Sequence, residues 1–344
     1  MGTGGLPTEP EELTPAWLTD ALADKTGGAQ VVSVVVTPID ARSALFSRPM
    51  HLALTWDRAG AGPSTLVAKL TAPDGEAKQA AAEIGVYAQE VRFYEQLAAT
   101  CGLRAPEAWY AAATEDTVLL LLEDLVGLHH RDAPESLEPG EIKAVLDALA
   151  AMHARWWDDE RLHQLAWLGQ RRGNVERNAA RYKRGWPRFL DLHGDLLDAA
   201  ERNLLRDLST ADDVWAIEPA LPFTLVHGDP KPSNIFFAVD DSPVFVDWQG
   251  VCAAHATADV ANALGAALGD DGLPSAARLV DRYVAVLDDA HIDIDRSSLN
   301  RRLRDAARHF VVRAVSASVT TDPLFHAAHG IMTRRRIAFA LSLS

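Results

Sequence analysis

The amino-acid sequence predicts an α+β protein with two lobes, a small N-terminal lobe built on an antiparallel sheet and a larger, mainly helical C-terminal lobe. Segments that are rich in valine or alternate in polarity lie before residue 125, whereas helical periodicity dominates the rest of the chain. The length of 344 residues exceeds that of an ordinary single domain. We therefore expect an N-terminal lobe over residues 1–125 and a C-terminal lobe over residues 126–344.

The first part of the N-terminal lobe is predicted to be a short helix followed by three strands. Glu11–Ala23 has a helical pattern, and Val31–Thr37 is rich in β-branched valine. His51–Trp56 and Thr65–Leu70 predict the next two strands, separated by a turn at Gly60–Pro63. Three consecutive strands with short connections indicate an antiparallel meander.

One long helix and two further strands complete the predicted N-terminal lobe. Glu76–Thr100 carries apolar and aromatic residues at three- and four-residue spacing, which predicts a helix. Trp109–Ala112 and Thr117–Leu122 predict strands, and Val118–Leu122 within the second is apolar on both faces, as expected of a buried strand.

The C-terminal lobe is predicted to be mostly helical. Glu141–Trp157 has a helical pattern, and mixed helical sequence continues to about Leu208. Phe223–Val226 predicts a strand that leads into a hairpin, and helical sequence resumes at about Thr257. A strand and a hairpin therefore interrupt an otherwise helical lobe.

Composition and charge exclude several classes of function. The formal net charge of −15 argues against nucleic-acid binding, which needs clustered Lys and Arg. No segment approaches the ~18 apolar residues of a membrane span, and the N-terminal segment lacks the basic flank and apolar core of a signal peptide. Cys101 and Cys252 have no metal-ligand spacing and fit a reducing compartment. We expect a soluble, cytoplasmic monomer or homodimer with no nucleic-acid or membrane partner.

The segment His227–Asn234 carries an unusual set of polar residues. Pro230 and Pro232 lack amide donors and disfavour helix in the residues before them, which predicts a loop. Ile235–Phe237 and Val244–Val246 are short apolar segments that predict the two strands of a hairpin.

The hairpin predicts that three oxygen-bearing side chains converge. A two-residue turn centred on Asp240 and Asp241 would place Asn234 opposite Asp247, with Asp229 just upstream. Oxygen ligands of this kind suit Mg²⁺, and a remaining carboxylate can accept a proton from a substrate hydroxyl. The set matches the residues used in phosphoryl transfer.

The pattern His-Gly-Asp-x4-Asn followed by Asp-Trp-Gln resembles the aminoglycoside phosphotransferase and choline-kinase-like superfamily. Asp-Trp-Gln, Glu90–Tyr94 and Leu149–Trp157 are similar to segments of its ecdysteroid-kinase-like branch. The resemblance runs from about Val31 to Leu264. It implies a two-lobed protein-kinase-like fold and a kinase that uses Mg²⁺ to move the γ-phosphoryl of ATP or GTP to a hydroxyl of a small molecule.

The resemblance also implies the roles of individual residues. Asp229 would be the catalytic base, and Asn234 and Asp247 would bind Mg²⁺. Lys69 would contact the α- and β-phosphates and pair with Glu90.

Further residues are assigned on the same basis. Glu123 and Leu125 belong to the hinge that would hold the nucleobase, and Lys231 would neutralise the γ-phosphate during transfer. Asp259 resembles a family Asp that braces the catalytic loop. The connection between the first two strands lacks the glycines that usually cover the phosphates, and Ser43 is a candidate phosphate contact there.

Other conspicuous residues are better explained by structural roles. We expect His227 to be packed and hydrogen-bonded, and His129–His130 to lie on the surface. Trp156–Trp157 fits a core or a cleft wall, and Arg334–Arg336 fits a solvated helix face.

Three alternatives fit the sequence less well than a small-molecule kinase. The short interval between Asp247 and Asp259 leaves little room for the activation segment of a protein kinase. The missing glycines favour a catalytically weak nucleotide-binding pseudokinase slightly, although the catalytic residues are retained. A metal-dependent hydrolase would not need Lys69 on a strand before the long helix.

The sequence leaves the acceptor open between an antibiotic and a metabolic alcohol or sugar. A set of acidic residues in the C-terminal lobe could recruit a cationic acceptor such as an aminoglycoside or could face solvent. They are Asp158, Asp159, Asp270, Asp271, Asp288 and Asp289.

Overall fold

A computed structural model of the chain describes residues 5–39, 46–73, 75–169, 175–210, 222–319 and 326–343. The chain divides into two compact units. The N-terminal unit comprises Met1–Thr100 and Ala105–Gly127, and the C-terminal unit comprises Cys101–Arg104 and Leu128–Ser344. None of the described helices combines the length and the apolar character that crossing a membrane requires.

Helices and strands of the N-terminal unit follow one another along the chain. They are α1 (Pro15–Thr26), β1 (Val31–Pro38), β2 (Ser47–Trp56), β3 (Thr65–Thr71), α2 (Glu76–Ile84), α3 (Val86–Gln96), β4 (Ala108–Ala113) and β5 (Val118–Glu123).

Helices and two small sheets make up the described part of the C-terminal unit. They are β6 (His129–His130), α4 (Pro139–Arg155), α5 (Glu160–Gln164), α6 (Val175–His193), α7 (Ala199–Leu208), β7 (Thr224–Val226), β8 (Ile235–Phe237), β9 (Pro243–Phe245), β10 (Cys252–Ala254), α8 (Thr257–Ala267), α9 (Ala276–Asp289), α10 (Arg296–Ala317) and α11 (His326–Ser342).

The N-terminal unit is built on a five-stranded antiparallel sheet in the order β1-β2-β3-β5-β4, which contains the predicted meander. One face of the sheet packs with α1, and the shared core includes Leu18, Leu66, Leu119 and Leu121. Because side chains alternate along a strand, Lys69 lies on the other face, opposite Leu120 in the register with β5. That face is the one available to α3, which packs against β4 and β5.

The predicted long helix is two helices, and the prediction of one unbroken helix is wrong. Gly85 ends α2 and precedes α3 with φ +74°, a left-handed conformation that glycine adopts without strain. Its amide donates to the carbonyl oxygens of Ala81 and Ala82, which satisfies the end of α2. The break separates the register of α3, which carries Glu90, from that of α2.

In the C-terminal unit, α8 is almost entirely buried and packs against α4, α10 and α11. Its residues are mostly small, so neighbouring helices approach its backbone closely. β7 pairs with β10, and β8 pairs with both β6 and β9. The loop from β7 to β8 and the turn after β9 therefore lie beside the N-terminal end of α8, where Asp259 binds the loop backbone.

The hairpin of β8 and β9 has the predicted strands but a register shifted by one residue. Asp241 donates its amide to Ala238 O and has φ +61°, while Ala238 donates its own amide to Ser242 O. The connection therefore has three residues with the last in the left-handed region, instead of the predicted two. As a result Asn234 lies opposite Val246, and the predicted pairing with Asp247 is wrong.

Replacement of Gly85 and of Gly140 by alanine should change the stability of the protein in opposite directions. Gly85→Ala should lower the free energy of unfolding by about 1 kcal/mol, because alanine must adopt a left-handed conformation there. Gly140→Ala should raise it by about 0.5–1 kcal/mol, because Gly140 is an exposed residue of α4 with open space around it. Urea unfolding of both variants checks the pair, and a Gly85→Ala protein as stable as wild type would contradict the helix break.

Candidate active site

The loop from β7 to β8 depends on two glycines that touch. Gly228 has φ +82°, and a Cβ added to it would overlap the carbonyl group of Gly250. A Cβ on Gly250 would in turn lie 2.7 Å from His227 O. The motif needs glycine at Gly228 both for its backbone conformation and for this close approach.

Asp259 holds the beginning of the same loop. Its Oδ2 accepts the amide of His227 at 2.7 Å and its Oδ1 accepts the amide of Gly228 at 2.8 Å. The side chain is completely buried, and His153 lies 3.3 Å from Oδ2. Asp259 occupies the first turn of α8, where the helix dipole favours a negative charge. The geometry is that of the predicted brace.

His227 joins the loop to the strand that leads to Asp247. Its Nε2 donates to Val246 O at 3.0 Å, and its Nδ1 accepts the amide of Asp229 at 3.2 Å. This pair of contacts requires the neutral ring with its proton on Nε2. Burial lowers the pKa of His227, although the charges of Asp259, Asp229 and Asp247 act in the opposite direction. His227 is therefore packed and hydrogen-bonded, as predicted.

Asp229 is surrounded by donors. Its Oδ2 accepts from Lys231 Nζ at 2.8 Å and from Asn234 Nδ2 at 3.3 Å. Its Oδ1 accepts from Asn262 Nδ2 at 2.8 Å. The side chain is 22% exposed, so a substrate group can still reach it.

The charges around Asp229 keep it ionised. Burial alone would raise its pKa, but the charges of Lys231 and Arg313, a hydrogen bond from Lys231 and the charge of Arg336 outweigh burial. The pKa of Asp229 consequently lies well below its usual range. The carboxylate is present throughout the physiological pH range.

Two residues behind Asp229 were missed by the sequence analysis. Asn262 is completely buried, and its Oδ1 accepts from Arg336 Nη2 at 3.1 Å while its amide nitrogen donates to Asp229. Arg336 is only 8% exposed, so its assignment to a solvated helix face is wrong. Arg334 and Arg335 also have partners, since Arg334 pairs with Glu201 and Arg335 donates to Pro134 O. The sequence could have identified Asn262 by its spacing from Asp259, because residues three apart lie on the same face of a helix.

The donor set fits a magnesium ion held by few protein ligands. Asn234 uses its amide nitrogen toward Asp229 O at 2.9 Å, which leaves its amide oxygen for a cation. Asp247 has φ +65°, and one of its carboxylate oxygens accepts from Gln249 at 3.0 Å. The described residues hold no group of three or more His, Cys, Asp or Glu suited to a metal. One amide and one carboxylate nevertheless suffice for Mg²⁺, which keeps waters and phosphate oxygens as its other ligands.

Lys69 and Glu90 form an ion pair within the N-terminal unit. Lys69 Nζ lies 2.9 Å from Oε1 and 2.7 Å from Oε2 of Glu90. Glu90 is 2% exposed and Lys69 is 12% exposed. The two rival carboxylates of the predicted helix, Glu83 and Glu95, are exposed, so the pairing selects Glu90.

Three further residues, Glu123, Leu125 and Ser43, were predicted to contact the nucleotide. Glu123 ends β5, and its amide donates to Glu107 O at 2.7 Å, so that donor already has a partner. Leu125 follows in the same connection and is buried. Ser43 lies outside the described residues. The contacts of these three residues with a nucleotide stay predictions.

The structure also locates the histidine and tryptophan pairs that were predicted to have structural roles. His129 and His130 form the exposed strand β6, and Trp156 is a core residue that donates to Cys101 O.

Comparison with known families decides the identity of the chain. A family model described as the phosphotransferase enzyme family, APH, matches residues 51–293. The chain belongs to this family. A sequence comparison of this phosphotransferase with curated proteins found no match.

Solved structures share the fold of this phosphotransferase. A spectinomycin phosphotransferase in complex with ADP and spectinomycin has 12% identity and a TM-score of 0.51, with 95% of this chain and 98% of that chain covered. An ethanolamine kinase of Plasmodium vivax has 14% identity and a TM-score of 0.51, with coverage of 90% and 81%. The GDP and kanamycin complex of APH(2")-IIIa has 11% identity and a TM-score of 0.53, with coverage of 94% and 98%. The predicted two-lobed kinase-like fold is confirmed, whereas the ecdysteroid-kinase-like branch stays a prediction.

The brace at Asp259 predicts a loss of stability when one of its two acceptor oxygens is removed. Asp259→Asn keeps one acceptor oxygen but leaves one of the two loop amides without a partner, which should lower the free energy of unfolding by about 1–3 kcal/mol. Denaturant unfolding measures this loss. Asp305→Asn, at an exposed position of α10, is the matched control and should stay within about 0.5 kcal/mol of wild type. Equal stability of the two variants would show that Asp259 does not anchor the loop.

Proposed function

We propose that this phosphotransferase moves the γ-phosphoryl group of ATP or GTP to a hydroxyl of a small molecule with the help of Mg²⁺. The observation that carries the proposal is the exposed edge of a carboxylate, Asp229, fixed by Lys231, Asn234 and Asn262 on a braced loop. The family match supports a phosphotransferase, and the Lys69–Glu90 pair supports nucleotide binding in the N-terminal unit.

Asp229 serves the acceptor hydroxyl. Its carboxylate accepts a hydrogen bond from the hydroxyl and directs the oxygen toward the phosphoryl group. Because its pKa is lowered, it stays ionised until the proton is released by the nucleophile late in a loose transition state. Lys231 neutralises charge that develops on the transferred phosphoryl group.

Asn234 and Asp247 hold the metal in this proposal. When bound, Mg²⁺ neutralises the charge of the phosphate oxygens and fixes their orientation. Lys69, held by Glu90, contacts the α- and β-phosphates, and the segment of Glu123 and Leu125 contacts the nucleobase.

Nucleotide, acceptor and compartment are the finer parts of the proposal. One of the structurally similar proteins was crystallised with ADP and another with GDP, which supports nucleotide binding and leaves both nucleotides as candidates. Both antibiotic and metabolic hydroxyl compounds are candidate acceptors. The two cysteines are free, which supports the cytoplasm. Retention of all five residues Lys69, Glu90, Asp229, Asn234 and Asp247 favours an enzyme over a pseudokinase.

Substitution of Asp229 tests the reaction. ADP release is measured over hydroxylated antibiotics, amino alcohols, sugars, sugar acids and sterol-like alcohols, with Mg-ATP and with Mg-GTP. Asp229→Asn should lower kcat for any acceptor found by at least about 100-fold, because the substitution removes the acceptor of the hydroxyl proton, while nucleotide affinity changes little. Asp241→Asn, in the exposed hairpin turn where Asn also tolerates φ +61°, is the control.

Two outcomes would count against the proposal. Failure to bind either nucleotide with Mg²⁺ would exclude a kinase. A fall in nucleotide affinity as large as the fall in kcat would remove Asp229 from the role of base.

Substitution of Asp247 tests the metal site. Asp247→Asn keeps a residue that tolerates the left-handed backbone but removes the charge, so nucleotide binding with Mg²⁺ should weaken by about 10-fold or more. Binding without Mg²⁺ should be nearly unchanged. Calorimetric titration of ADP with Mg²⁺ and with EDTA measures both, and an unaltered difference between the two conditions would place the metal elsewhere.

A further inference from the structure

One face of α10 presents two residues next to the loop that carries Asp229. His309 and Arg313 are four residues apart, so they share a face of the helix. Arg313 Nη1 lies 3.4 Å from Gly228 O, at the long end of a hydrogen bond. The guanidinium also lies 5.1 Å from the ring centroid of Phe310. These contacts hold a cation beside the residue that precedes Asp229.

Arg313 differs from the other cations that act on Asp229. Lys231 is paired with Asp229 itself, and Arg336 is buried and donates to Asn262. Arg313 is exposed and has no carboxylate partner among the described residues. A planar guanidinium in this state offers its remaining N–H groups to an anion, and its geometry suits a carboxylate or a phosphate.

His309 supplies a second polar group on the same face. Its Nδ1 is buried and has no hydrogen-bond partner among the described residues. Burial, and then the charge of Arg313, lower the pKa of His309 to about 3, so the ring is neutral. A buried nitrogen without a partner is unfavourable, and a hydroxyl of a bound ligand would satisfy it.

The acidic residues that could have recruited a cationic acceptor are partly engaged elsewhere. Asp159 is bound by Arg161, with Nη2 and Oδ2 2.6 Å apart. Asp270 is bound by Arg334 at 2.8 Å. Asp288 and Asp289 lie at the C-terminal end of α9 and are exposed. The charges that act most strongly on Asp229 are instead positive.

We propose that Arg313 and His309 form part of the acceptor site, and that this site selects a hydroxylated acceptor carrying a carboxylate or phosphate group over a polycationic one. The inference rests on the proposed function, since it names the substrate class for the same Asp229. Arg313 binds the anionic group, His309 binds a hydroxyl, and a further hydroxyl faces Asp229. The net charge of −15 belongs to the whole chain, whereas Lys231, Arg313 and Arg336 are the cations close enough to lower the pKa of Asp229.

Three probes that share one polyol chain test the charge preference. Gluconate carries a carboxylate at its first carbon, sorbitol a hydroxymethyl group and glucamine an aminomethyl group. Calorimetric titration of each probe is carried out with the free protein and with the protein saturated with Mg-ADP. We expect gluconate to bind at least about 10-fold more tightly than glucamine, with sorbitol between them.

Arg313→Gln should abolish the preference for gluconate and bring the three dissociation constants to within about 3-fold of one another. The matched control is Arg301→Gln, which removes an exposed arginine from a different face of the same helix and should keep the preference. His309→Phe should weaken all three probes equally, since it removes a contact with a hydroxyl.

Several results would overturn the proposal. They are tighter binding of glucamine, binding of none of the probes, or a gluconate preference that survives Arg313→Gln. A loss of ATP turnover in Arg313→Gln with an unchanged probe preference would assign Arg313 to the transferred phosphoryl group. Failure of this inference can be distinguished from failure of the proposed function. The proposed kinase function fails if the protein does not bind Mg-nucleotide, whereas this inference fails on the probe titrations alone.

Discussion

A buried carboxylate that binds two consecutive backbone amides is the interaction on which the candidate site depends. Asp259 has no exposure to solvent, so its charge must be compensated inside the protein. Charge-assisted hydrogen bonds from His227 and Gly228 and the N-terminal end of α8 supply that compensation. The same bonds fix the backbone immediately before Asp229. The orientation of the Asp229 carboxylate therefore depends on the hydrogen bonds that the buried carboxylate of Asp259 requires.

Small residues extend this constraint through the C-terminal unit. Gly228 and Gly250 touch through their backbones, and a side chain on either would separate the loop from the turn that follows Asp247. Along α8, Gly265 lies against Arg336, with the position of its missing Cβ only 3.4 Å from Arg336 Cγ. The helices α8 and α11 thus approach closely enough for Arg336 to reach Asn262. Close packing allows a buried arginine to support the carboxylate through an intervening amide.

Local chemistry made much of the fold and of the site predictable from sequence. Proline spacing predicted the loop before Asn234, and the strand predicted at Thr65–Leu70, after the turn at Gly60–Pro63, is the one that carries Lys69. The hairpin register was missed by one residue, since two neighbouring Asp residues fit a two-residue turn as well as a three-residue loop ending in the left-handed region. Asn262 and Arg336 lie 74 residues apart, and no local pattern records a contact over that distance. Gly85 is a residue type that often ends a helix, but the helical periodicity continues on both sides of it, so the sequence did not predict the break.

The environment of Asp229 limits how it can act in the proposed role of base. A carboxylate whose pKa is lowered by Lys231 and Arg313 is a weak proton acceptor before the reaction begins. It is suited to orienting a hydroxyl and to receiving the proton only after the phosphoryl group has largely left its donor. If Lys231 shifts toward a γ-phosphate, its bond to Asp229 lengthens and the pKa of Asp229 rises. In the proposed reaction, binding of the nucleotide would therefore strengthen the base at the point where a proton has to be accepted, and Asn262 would hold the carboxylate in place while Lys231 moves.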